Sequence, residues 1–126
     1  IPLSANSDGD VVLHALCNAI SGITCENILG ARADAICRSG VKDSRVYVRE
    51  ALKYLDGRLT HLSFTVECKT PILSPRIPEM RRAIGELTGL PESCVGITAT
   101  SGEGLTDFGR GLGISVFCTA TAEGVF

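Results

Sequence analysis

Leu62, Phe64, Val66 and Cys68 alternate with polar residues. That is the period of a strand with one buried face and one open face. Such a strand must pair its backbone with other strands and cover its apolar side. Two later stretches have strand character, about Cys94–Thr100 and about Gly113–Glu123. In the second, Ile114, Val116, Cys118 and Ala120 fall on one side, and Phe117, Thr119 and Thr121 on the other.

The helical period supplies the cover. Val12, Ala15, Leu16, Ala19 and Ile20 form the stripe of a helix from about Asp8 to Ser21, with Gly22 as its stop. Ser7, three residues before Asp10, has the form of a capping box. A short helix is expected around Leu29–Cys37, ended by Gly40. Asp43 or Ser44 caps the next helix, whose core face is Val48, Ala51, Leu52 and Leu55 and whose end is Gly57. Arg49 and Lys53 lie on its solvated side. Thr70-Pro71 and Ser74-Pro75 break the chain into a loop. Pro78 then suits the first turn of a helix lined by Ile77, Met80, Ile84 and Leu87 and stopped by Gly89.

The expected fold is α+β. One mixed β-sheet carries helices packed on one face, in a single domain over residues 1–126, and a strand before Ile1 would complete it. The other sheet face, around Phe117, Thr119 and Thr121, needs water or a partner subunit.

Composition removes several function classes. Net charge is −2 with scattered basic residues, which excludes the clustered basic surface of a nucleic-acid binder. No apolar run approaches the ~20 residues that cross a bilayer, so no membrane partner is expected. The six cysteines form no Cys-x-x-Cys pair and mostly sit in apolar runs, as free thiols of a reduced compartment do. A cytoplasmic location is expected, with a plastid left open.

Two stretches carry chemistry. In the first helix, Asp10 and His14 are four residues apart and share a face. A carboxylate there can fix an imidazole's tautomer and raise its basicity, as it does behind metal ligands. An amphipathic helix with a satisfied histidine fits the same spacing. The second stretch runs from Thr100 to Gly113 and holds five glycines. Thr100 and Ser101 offer hydroxyls and amides to phosphate oxygens. Glu103 is a hard oxygen ligand suited to magnesium, and Arg110 can fork a phosphate. A hairpin loop with a surface arginine fits that composition equally well.

Taken together, Ser7-Asp8-Gly9-Asp10-Val11-Val12-Leu13-His14-Ala15-Leu16, Asp43-Ser44-Arg45, Pro75-Arg76-Ile77-Pro78-Glu79-Met80-Arg81, Thr100-Ser101-Gly102-Glu103 and Gly109-Arg110-Gly111-Leu112-Gly113-Ile114 resemble the 2-C-methyl-D-erythritol 2,4-cyclodiphosphate synthase family of non-mevalonate isoprenoid synthesis. They occur in family order over nearly the whole chain.

The resemblance implies a phosphorus-oxygen lyase working as a homotrimer, with sites between neighbouring subunits. It would cyclise 4-diphosphocytidyl-2-C-methyl-D-erythritol 2-phosphate to 2-C-methyl-D-erythritol 2,4-cyclodiphosphate, and CMP would leave. His14 falls on a zinc ligand, the other ligands being an Asp-x-His pair that the family carries upstream of the position of Ile1. Glu103 falls on the ligand of a magnesium or manganese ion that accompanies the substrate. The resemblance implies catalytic roles for Ser101 and Asn6. It implies substrate contacts from Ser7, Asn27, Gly30 and Asp34, from Cys68, Lys69, Thr70, Pro71, Ile72, Leu73 and Ser74, and from Thr100, Ser101, Gly102, Asp107 and Arg110. The segments 68–74 and 100–103 would hold the cytidine diphosphate. Arg110 would face a cavity on the threefold axis, able to meet an isoprenoid diphosphate or phosphate, with Glu123 and Asp107 as acidic partners.

This chain departs from the family pattern at four positions. Asn6 stands for a histidine, Asn27 for an aspartate, Ile72 for a lysine and Ser101 for a threonine. The first three motivate a rival reading, a non-catalytic trimeric homologue that binds an isoprenoid or nucleotide diphosphate.

Overall fold

The computed structural model describes residues 6–29, 43–68, 74–100, 107 and 113–124. In chain order the elements are α1 (Asn6–Thr24), α2 (Ser44–Leu52), β1 (Gly57–Glu67), α3 (Ile77–Thr88), β2 (Val95–Thr100) and β3 (Ser115–Gly124). Short 3-10 turns at Ser74–Arg76 and Glu92–Cys94 lead into α3 and β2. The expected helix around Leu29–Cys37 lies outside the described residues, apart from its first residue.

β1 is the middle strand, in the order β2-β1-β3. It runs parallel to β2 and antiparallel to β3, so the sheet is mixed. Leu62, Phe64 and Val66 are fully buried, while His61, Ser63 and Thr65 are exposed. Burying a side chain of that size stabilises by roughly 1.5–3 kcal/mol. The helices meet the buried side: Val12, Leu16 and Ile20 of α1, Val48 and Ala51 of α2, and Met80 and Ile84 of α3 join one core with Leu62 and Phe64. The other face is open, with Thr98, Thr119, Thr121 and a 72% exposed Phe117. The α+β class, the mixed sheet and the one-sided cover therefore stand as expected.

Several boundaries differ. β1 begins at Gly57, not Leu62, because a bulge between Leu59 and His61 breaks the alternation. α2 ends at Leu52, with Asp43 as its N-cap. Its last turn tightens as the amides of Lys53, Tyr54 and Leu55 bond the carbonyls three residues back. Gly57 is thus no helix stop. It sits opposite Gly124 in the β1–β3 pair, where a Cβ on either would run into the facing backbone.

α1 also outruns its expected limits. Gly22 lies inside the helix, where one glycine costs only about 1 kcal/mol. The left-handed residue that ends α1 is Cys25, at φ 63°, whose amide bonds the Ser21 carbonyl at 2.8 Å. Ser7 lies within the first turn of α1, so it is not the cap ahead of it. A polar residue is tolerated there because the first-turn amides lack helical partners. α3 matches expectation at both ends, with Pro78 in its first turn and Gly89 at φ 80° as its stop.

Among the described residues, Cys17, Cys25, Cys68, Cys94 and Cys118 form no disulfide. Burial pushes Cys17 up to about 11 and Cys118 up to about 12, as thiols used for packing behave. No helix among the described residues is long and apolar enough to cross a membrane.

Candidate active site

β1 and β2 are parallel, so both finish at the same end of the sheet, and antiparallel β3 begins there. Glu67 stands in register with Thr100 on one side and Ser115 on the other. One residue further on, the Cys68 amide donates to the Thr100 carbonyl at 2.9 Å. The starting points of segments 68–74 and 100–103 are therefore bonded to each other. Residues 113 and 114, the end of the glycine-rich stretch, arrive at the same edge as they enter β3. Three stretches separate in sequence thus meet at one end of the sheet, because parallel pairing places two carboxyl ends side by side.

The side chains there divide between inside and outside. Cys68 is buried, while Thr100 is exposed. Asp107, in a turn between β2 and β3, is exposed as well. Ser74 opens the 3-10 turn that leads into α3. Asn6 and Ser7 occupy the first turn of α1, and His14 is exposed midway along that helix. Asn27 is exposed just after it. Gly30, Asp34, Lys69, Thr70, Pro71, Ile72, Leu73, Ser101, Gly102, Glu103 and Arg110 lie outside the described residues.

The structure thus brings Cys68 and Thr100 together, and shows His14 and Asn27 as exposed positions on and after α1. Among the described residues, no three His, Cys, Asp or Glu side chains gather as a metal site. An exposed imidazole is a fitting single donor for zinc, but a tetrahedral ion needs further donors from elsewhere. Within the described residues, Glu123, one expected partner of Arg110, pairs with Arg58 at 2.5 Å across β1 and β3. The two side chains meet because Arg58 and Glu123 are in register on neighbouring strands.

Glu67 and Ser115 share this end of the sheet without having been singled out from the sequence. Extending the outward alternation of His61, Ser63 and Thr65 by one step reaches Glu67. At the start of α2, Arg45 serves the helix cap. Its guanidinium forks onto both Asp43 oxygens, Nε to Oδ1 at 3.1 Å and Nη2 to Oδ2 at 2.6 Å. That hydrogen bonding, with a backbone bond from the Arg45 amide, holds the Asp43 carboxyl down at about 2.

The YgbB family model matches residues 1–123 of this chain. A 2-C-methyl-D-erythritol 2,4-cyclodiphosphate synthase of Chlamydia trachomatis serovar L2b is 49% identical over 120 residues, which is 93% of this chain and 67% of that protein. Among solved structures, a 2C-methyl-D-erythritol-2,4-cyclodiphosphate synthase superposes with a TM-score of 0.78 at 26% identity, covering 94% of this chain and 79% of that one. The bifunctional IspDF of Campylobacter jejuni superposes at 0.79 with 27% identity, covering 92% of this chain and 32% of that protein.

Proposed function

This chain belongs to the YgbB family, and on that premise we propose that it cyclises 4-diphosphocytidyl-2-C-methyl-D-erythritol 2-phosphate to 2-C-methyl-D-erythritol 2,4-cyclodiphosphate. The observation that carries this reading is the bonded pair of Cys68 and Thr100, which roots both proposed nucleotide-holding segments at one sheet end. An oxygen of the substrate's 2-phosphate attacks the β-phosphorus. The bond from that phosphorus to the bridging oxygen breaks, and CMP leaves with the electron pair. Nucleophile and leaving group both belong to the substrate, so no protein nucleophile is needed. The protein's work is to hold the diphosphate and the 2-phosphate in line.

Segments 68–74 and 100–103 hold the cytidine diphosphate, with Thr100 and Ser101 offering donors to its phosphates. Asp107 and the polar residues Asn6, Ser7, Asn27 and Asp34 serve the rest of the substrate. His14 is the donor this chain gives to zinc, and Glu103 the donor it gives to magnesium or manganese. Such ions, when bound, neutralise the crowded phosphate charge. The working unit is a homotrimer of one such domain per chain, assembled through the open sheet face around Phe117. Arg110 then lies near the threefold axis, where an isoprenoid diphosphate or phosphate would balance three like charges.

Metal content and turnover test the assignment together. His14→Ala is expected to lose zinc while His61→Ala keeps it. Glu103→Gln is expected to abolish turnover with magnesium or manganese while retaining zinc. Equal zinc in the two histidine variants, or parent-rate turnover by Glu103→Gln, overturns the respective role.

A further inference from the structure

Beside the main core lies a second, smaller one. Val66 is fully buried and Cys68 is 7% exposed, and Ala99, Ile114 and Val116 pack against them. These residues come from the closing positions of β1 and β2 and from the entry to β3. Segments 68–74 and 100–103 and the glycine-rich stretch are thus each rooted at one end on this apolar cluster. Cys68 opens segment 68–74, Ala99 directly precedes Thr100, and Ile114 follows the glycine-rich stretch. Cys68 also ties two of these roots through its backbone, by the 2.9 Å bond from its amide to the Thr100 carbonyl.

Resting on the function proposed above, we infer that Cys68 is a positioning residue whose buried side chain sets the spacing between the substrate-holding segments. A buried thiol is a small hydrophobe, and the reaction asks for no protein nucleophile. The cluster is small, so losing one sulfur removes a large share of its contacts. Close-packed interiors transmit such a change to their neighbours. A shift of the roots would alter how the two segments present themselves to the diphosphate, and misplacement by about 1 Å can cost as much as ~100-fold in an enzyme reaction. Serine at this position would place an additional hydroxyl in an apolar cluster, and valine would keep it filled and apolar.

The test compares full-length parent protein with Cys68→Ala, Cys68→Ser and Cys68→Val. Two quantities are read: hydrogen exchange of the residue 68 amide by NMR, and kcat and KM for the proposed substrate. In the alanine and serine variants the amide is expected to exchange about tenfold faster, as a locally loosened unit does. KM is expected to rise about tenfold with kcat within about twofold, the mark of weakened substrate holding. Valine is expected to recover both quantities. Parent-like exchange and KM in the alanine and serine variants overturn the inference. A fall in kcat that valine does not recover also overturns it, because the thiol itself would then act. Faster exchange recovered by valine, in a series whose parent shows no turnover, supports the positioning role and refutes the proposed reaction instead. Should the alanine variant fail to fold, the serine and valine variants carry the same comparison.

Discussion

Cys25 closes α1 in the left-handed region, at φ 63°, where a side chain normally costs about 1–2 kcal/mol. The turn is held by its amide on the Ser21 carbonyl and by the pull of Ile28, which is fully buried just beyond. Glycine would adopt the same conformation without that cost, offset in part by its freedom in the unfolded chain. The Cys25 side chain is exposed, so little packing is lost. Cys25→Gly should therefore stabilise by about 0.5–1 kcal/mol and raise the melting temperature by a few degrees, read by calorimetry. An unchanged or lower melting temperature contradicts this. Gly89 was legible as a stop because glycine occupies the left-handed position itself. Gly22 misled because glycine ends a helix only when the chain turns there, and packing beyond residue 22 decided otherwise. At the site, residue types named Cys68 and Thr100, and the alternation of Leu62, Phe64, Val66 and Cys68 already put the Cys68 thiol on the buried side. Alternation from Val66 carries that inward direction one residue past the end of β1.

At the scale of elements, α3 follows the candidate site in the chain but docks at the other end of β2 from it. It follows segment 68–74, and its Arg81 Nε donates to the Val95 carbonyl at 2.9 Å, at the start of β2. Gly85 lets the helix press on the following turn, where a Cβ would stand 2.8 Å from the Leu90 carbonyl oxygen. Among the described residues β2 pairs with β1 alone, so this helix contact supplements a single ladder of sheet bonds. Arg81→Met should cost about 1.5–3 kcal/mol, the range for a hydrogen bond from a charged donor. A urea titration should show a lower midpoint at an unchanged slope. A midpoint equal to the parent's would mean that water replaces the bond without loss. The period of α3 was plain in the sequence because both of its ends carry backbone-specific residues. The first half of β1 was not, since the bulge at Leu59 and His61 hides its alternation, and the end of α2 tightens with no residue to mark it.

For the whole molecule the telling feature is the open side of the sheet. Thr65, Thr98, Thr119 and Thr121 share that side with Phe117, a large apolar side chain that is 72% exposed. Burying it between subunits is worth roughly 1.5–3 kcal/mol per copy. Phe117→Asp should leave the helical and sheet content of the chain unchanged and shift the native mass from the proposed trimer to monomer at micromolar concentration. A trimer that survives the substitution would place the interface elsewhere. That the sheet has one uncovered face follows from its alternation pattern. What covers that face does not, because a hydroxyl-rich surface suits water and a partner alike. The most direct measurement concerns the reaction itself. Full-length protein supplied with zinc and with magnesium or manganese is mixed with 4-diphosphocytidyl-2-C-methyl-D-erythritol 2-phosphate and followed by phosphorus NMR. The predicted result is CMP and 2-C-methyl-D-erythritol 2,4-cyclodiphosphate appearing in equal amounts. Substrate that persists unchanged, or CMP released without the cyclic product, would contradict the proposed function.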